Sequence, residues 1–196
     1  MMPPDRTETS EAPAAGDGNV SAEAEPPQAD ADILIGDGRW DAVTGLASLI
    51  PGLVAAALSE AGRPAETGSV NIALLSGAEV RSLNKAFRGK DSATNVLSFP
   101  AAPARPGLNS SNAPVAFLGD VALAYETVAE EALAQHKPVL HHAAHLVVHG
   151  VLHLAGFDHG HDAEAERMED AERLILSRFG IPDPYADDTH PPTVAH

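Results

Sequence analysis

The chain has 196 residues, with 28 acidic against 12 basic side chains, ten histidines, no cysteine and a formal net charge of -16. That length accommodates one globular domain with its own core and leaves little room for a second. The lack of cysteine excludes disulfides, thiolate ligands and cysteine nucleophiles together, so a bound metal would need nitrogen or oxygen donors.

Residues 1–31 are rich in Ala, Pro, Glu, Gly and Ser without apolar periodicity, and a disordered acidic extension is expected there. Seven acids stand against Arg6 alone within the first thirty residues, so about six of the sixteen net charges fall in that segment. The folded part, expected over 32–185, is therefore less hostile to a polyanion than the total charge implies. Residues 33–35 read as a short strand, and 40–61 carry Val43, Leu46, Ala47, Ile50, Val54 and Leu58 at helical spacing, with a kink expected at Pro51. A second strand is expected at 70–75, then a helix at 77–87 with Val80, Leu83 and Phe87 on one face. Strands at 95–99 and 116–123 follow, joined by a loop rich in Pro, Gly, Asn and Ser. Helical patterns cover 125–135, 139–155 and 163–179. Four prolines lie between Pro182 and His196, and 186–196 are expected to form a flexible tail. This order predicts a single mixed α/β domain. No basic region leads into an apolar stretch near the start, and histidines interrupt the most apolar run throughout, so a soluble cytoplasmic protein without membrane contact is expected.

Eight of the ten histidines lie between His136 and His161. His149 and His153 are four residues apart, which on a helix puts both rings on one face, about a turn apart. Gly156 offers a helix end, and the turn after it can return His159 to the same place. The segment H-G-V-L-H-L-A-G-F-D-H has the histidine and glycine spacing of the metzincin zinc motif, but Gly150 stands where those proteases carry their general-base glutamate. A protease working by that route would lack its base. Three neutral imidazoles leave zinc its full double charge and an open fourth position whose water has a pKa near 7, which suits an anionic substrate such as a phosphodiester. His145 also precedes His149 by four residues and can in principle form the helical pair. Roles behind the ligands, or in packing, are preferred for His142 and His145, and surface positions for His136, His141 and His161. Asp158 either orients a ligand imidazole or caps the turn.

Arg81, Lys85 and Arg88 form a stripe at spacings of four and three, with Lys90 close behind. For Arg81 and Lys85 a solvated charged face weighs as much as a functional role. Arg88 ends its helix and opens a polar turn, from which a guanidinium can be aimed at a bound phosphate.

The blocks L-N-K-A-F-R-G-K-D-S-A-T-N-V-L-S-F-P at 83–100, L-G-D at 118–120 and H-L-V-V-H-G-V-L-H-L-A-G-F-D-H at 145–159 occur in this order. Together they resemble the YbeY family of bacterial endoribonucleases over roughly 70–185. The resemblance implies a single α/β domain with a small mixed four-stranded sheet flanked by helices and a metal site on a helix and turn of the C-terminal half. It implies one zinc ion on His149, His153 and His159, and places the family's functional arginine at Arg88. It implies a metal-dependent endoribonuclease specific for single-stranded RNA, acting on precursor rRNA of the small ribosomal subunit at its 3′ end and in ribosome quality control. A ribosomal protein or an assembly GTPase are further candidate partners. The long acidic extension is not part of the family pattern. The alternatives are a ribosome-assembly binding factor with a structural zinc site and a metzincin-like peptidase, the latter disfavoured by Gly150.

Overall fold

The computed structural model describes residues 29–63, 68–102 and 116–186. The expected acidic extension up to 28, most of the loop between the third and fourth strands, and the tail from 187 lie outside them. The elements run β1 (Asp30–Ile35), a 3₁₀ turn (Gly38–Ala42), α1 (Leu46–Glu60), β2 (Gly68–Leu75), α2 (Gly77–Arg88), β3 (Val96–Pro100), β4 (Ala116–Ala124), α3 (Tyr125–Ala134), α4 (Val139–Ala155) and α5 (Asp162–Arg178).

The four strands form one mixed sheet in the order β1-β2-β4-β3. β1, β2 and β4 are parallel neighbours, and β3 closes the far edge antiparallel to β4. Alternation along the strands divides two apolar layers. Val70, Ile72 and Leu74 of β2 and Val121 and Leu123 of β4 face α1, α4 and α5 in the larger core, while Leu97, Ala122 and Ala124 meet Val80 and Leu83 of α2 on the other side. Each large aliphatic side chain buried this way contributes about 1.5–3 kcal/mol, so the larger layer supplies most of the driving force.

Several boundaries differ from the sequence expectation, each for a visible reason. Sheet pairing starts at Asp30 rather than 33, because Ala29 is buried and Asp30 already pairs with Ser69. The expected helix over 40–61 is broken in two. Trp40 sits 2% exposed in the 3₁₀ turn, donates from Nε1 to the Leu75 carbonyl at 3.0 Å and meets Tyr125 edge-on. Anchored there, the chain must turn before α1 starts at Leu46, which leaves Ala47 exposed. Phe87, expected on the apolar face of α2, is 71% exposed and leans on Phe99 instead. In β4, pairing passes from Phe117 opposite Ser69 to Gly119 opposite Val70, a bulge that leaves Leu118 unpaired in the ladder. Gly119 has φ 142°, and a Cβ there would lie 2.2 Å from the Phe99 carbonyl oxygen, which explains the glycine of the L-G-D block. Its aspartate, Asp120, accepts from Asn71 Nδ2 at 2.8 Å.

Candidate functional site

Helix α4 is buried along most of its length, from Ala143 to Leu154. His142, His145, His149 and His153, spaced by three, four and four, form one stripe on its remaining face. Each ring has a different partner. His142 Nε2 lies 2.7 Å from Glu131 Oε2 of α3, and burial pushes this histidine below its ordinary pKa although Glu131 opposes the shift. His145 Nε2 and His149 Nδ1 both reach Glu172 of α5, each at 2.8 Å, through its two different oxygens. His153 Nδ1 donates to the Phe157 carbonyl at 3.0 Å.

Glu172 is fully buried, and sequence reasoning missed it. Burial alone would raise its carboxyl, but hydrogen bonds from His145, His149 and Tyr185 outweigh that and hold it down to about 2. Tyr185 donates its hydroxyl to Glu172 Oε2 and stacks edge-on against His145, so the segment after α5 closes the network. The signal was present in the sequence: Glu172 falls among Met168, Ala171, Ile175 and Leu176, on the face α5 buries. An acid in such a stripe needs a partner, because an unpaired buried carboxylate is costly.

With Nδ1 of His149 and His153 each held by an oxygen, their Nε2 lone pairs are free to point the other way. Gly156, with φ 103°, ends α4 in the left-handed region, and Phe157 N–H turns back to the Leu152 carbonyl at 3.0 Å. Asp158 then accepts from the His159 backbone N–H at 2.8 Å, which makes it the cap of this turn. The His159 ring arrives stacked on His149 at 5.8 Å and edge-on to His153 at 4.9 Å between centroids. One ring nitrogen from each of His149, His153 and His159 lies within 4.8 Å of the other two. The donor chemistry fits a divalent cation: burial, and then the neighbouring His149, keep His153 below its ordinary pKa and hence neutral, the form that can ligate. His142 and His145 stay outside the cluster.

Gly150 faces the sheet, not the cluster. A Cβ at this position would lie 2.5 Å from Val121 Cγ1 and 3.1 Å from Ser98 Oγ, and Ser98 Oγ donates to the Gly150 carbonyl at 3.2 Å. The position that carries the general base in the metzincin motif is here a point of close contact between α4 and the sheet, with no space for a carboxylate side chain.

Arg88 ends α2, whose start is fixed by a capping box between Ser76 and Glu79. Its Nη2 donates to the Ser98 carbonyl at 3.0 Å and its guanidinium lies 5.8 Å from the Phe99 ring centroid. A groove of about 670 Å³ has Arg88, Thr94, Asn95 and Ser98 along one wall and His149, His153 and His159 along the other. Arg81 and Lys85 are instead paired with Asp91, at 2.6 and 2.9 Å. The basic stripe is thus partly neutralised, and Arg88 is the member of it that lines the groove.

Fold and site together define a class: a single-domain α/β protein with a three-histidine cluster, able to take a metal, across a groove from one arginine. A family model described as Endoribonuclease YbeY matches residues 41–180, and the chain belongs to that family. A Rhodopseudomonas palustris protein named Endoribonuclease YbeY is 55% identical over 124 residues, 62% of this chain and 64% of that protein. The match therefore spans a little less than two thirds of that relative. Proteins of the same name from Azorhizobium caulinodans and Nitrobacter hamburgensis are 49% and 42% identical over 156 and 173 residues. They match 79% and 88% of this chain, and 95% and 90% of their own lengths. A solution structure of TM1509 from Thermotoga maritima is similar over 84% of this chain and 99% of that one, at 22% identity and a TM-score of 0.47. Among the described residues no helix is long and apolar enough to cross a membrane.

Proposed function

We propose that this chain is a metal-dependent endoribonuclease that cleaves single-stranded RNA, with one zinc ion held by His149, His153 and His159 and with Arg88 as the catalytic cation. Its substrate is precursor rRNA of the small ribosomal subunit, cut near the 3′ end, and it serves ribosome quality control in the cytoplasm, with a ribosomal protein or assembly GTPase as partner. The observation that carries this reading is the single groove with three convergent imidazoles on one wall and a guanidinium on the other.

The ion, when bound, supplies Lewis-acid stabilisation of phosphoryl charge and a nucleophile at neutral pH. The protein supplies the rest. Glu172 fixes the tautomer and tilt of His149, and the Phe157 carbonyl does the same for His153. The Ser98 carbonyl and the Phe99 ring orient the Arg88 guanidinium, which lines the groove and has further N–H groups able to take phosphate oxygens. Charge that builds on the scissile phosphate is thus met by a cation already in place. Gly150 leaves no general base at the metzincin position, which argues against peptide hydrolysis.

The test is cleavage of a labelled single-stranded RNA by wild type and His153→Ala, with metal content and melting recorded for both. Cleavage by wild type and none by a folded, metal-depleted variant is expected. Equal cleavage by both, or cleavage by neither, would favour an assembly factor with a structural metal.

A further inference from the structure

Beyond His149 the groove continues into a second trough of about 300 Å³. The two share Asn95, Val96 and His149, so the trough adjoins the groove at the cluster. Their chemistry differs. The first has Arg88 and no carboxylate except Asp158, which caps its own turn. Neither lysine nor arginine lines the second; its charged side chain is Glu131, and burial keeps His142 beside it below its ordinary pKa. A phosphate placed here would be repelled.

What the second trough does offer is a hydrogen-bond acceptor in a slot whose lining is mixed, with Asn95, Gln135 and the histidines beside Val96, Leu146 and Pro184. Glu131 Oε2 takes His142 Nε2 at 2.7 Å and Asn95 Nδ2 at 2.9 Å, which fixes the carboxylate rigidly. Among the described residues nothing bonds its other oxygen, Oε1, and the side chain is 34% exposed. Leu146 and Pro184 supply apolar surface, and the Tyr185 ring an aromatic one. A flat, partly apolar ring carrying N–H donors on its edge matches this slot, and a nucleobase is such a ring. Guanine fits best, because N1–H and N2–H stand side by side and can share the two lone pairs of one carboxylate oxygen, whereas uracil offers a single N–H between two carbonyls.

Resting on the ribonuclease reading, we infer that the Glu131 trough is a nucleobase subsite, selective for guanine, that seats the base beside the scissile phosphate. Arg88 and the histidine cluster would hold the phosphate while Glu131 reads the adjacent base, so cleavage depends on the sequence at the cut.

The experiment compares kcat/KM for short single-stranded RNAs identical except for G, A, C or U at the nucleotides flanking the cut, with metal-loaded wild type and Glu131→Gln. The amide oxygen of the variant can keep the bonds to Asn95 and His142, which turns a donor instead of an acceptor toward the trough. Wild type should favour guanine over uracil by about tenfold, the worth of one hydrogen bond to a charged group, and the variant should lose that preference with metal content and melting unchanged. No preference in wild type, or the same preference in the variant, would overturn the subsite. If wild type cuts no RNA, binding of guanosine 5′-monophosphate against uridine 5′-monophosphate decides separately. Tighter guanosine binding that Glu131→Gln abolishes keeps the subsite while the nuclease reading falls, and equal binding removes the subsite too.

Discussion

Three buried residues, Glu172, Gly150 and His142, shape the surroundings of the histidine cluster. Glu172 holds two histidines and receives Tyr185, so Glu172→Gln, which keeps shape but weakens the acceptor, should lower metal affinity about 10- to 100-fold, measured by competition with a chromophoric chelator. Unchanged affinity would make the carboxylate a packing device. Gly150→Ala should cost about 1–3 kcal/mol in thermal or urea unfolding, because its Cβ meets Val121 where neither helix nor strand can withdraw cheaply. His142 carries the pH dependence that belongs to this scale. Burial lowers it below its ordinary value, so the unfolded chain takes up this proton at a higher pH than the folded one. Its contribution is complete above an unfolded pKa of about 6.5 and is lost as the pH falls through that value. Metal-free wild type should therefore lose stability between pH 7.5 and 5.5, and His142→Gln should lose less. Identical slopes would contradict this. The cluster was legible at this scale, since His149, His153, Gly156 and His159 are local in sequence. Glu172 and Glu131 were not, because what defines them is contact with residues 11 to 36 positions away.

At the scale of elements, legibility followed the same division. The span of α4 was readable from its own periodicity and from Gly156, and α3 and α5 within a residue. The break before α1 depends on Trp40 finding the Leu75 carbonyl across the fold, and the bulge in β4 on the approach of the Phe99 carbonyl, and no local pattern reports either. Helix α2 bears on the proposed function through Arg88, its last residue. Its capping box has Glu79 N–H donating to Ser76 Oγ and Ser76 N–H to Glu79 Oε2 at 2.8 Å. Ser76→Ala should cost about 1 kcal/mol in stability. Metal affinity should stay as it is, because α2 contributes no ring to the cluster, and a shift in both would couple the two walls of the groove.

Across the whole molecule, the larger core is built from the sheet and α1, α4 and α5 and includes none of the three clustered histidines. Chelation should therefore leave far-UV circular dichroism intact and lower the melting temperature only by the binding energy of the ion, about 3 kcal/mol at a hundredfold excess over Kd. Unfolding on chelation would assign the metal a structural task. The mixed α/β class was readable from the order of patterns. The position of β3 at the sheet edge, which brings Arg88 and Ser98 opposite the cluster, came only with the strand order. That opposition of arginine and histidines is what RNA cleavage by Arg88→Ala probes, at saturating metal and with metal content and melting recorded in parallel. A loss of about 10²–10³-fold in kcat is expected, with both controls unchanged. Undiminished cleavage by the variant would contradict the proposed role of Arg88.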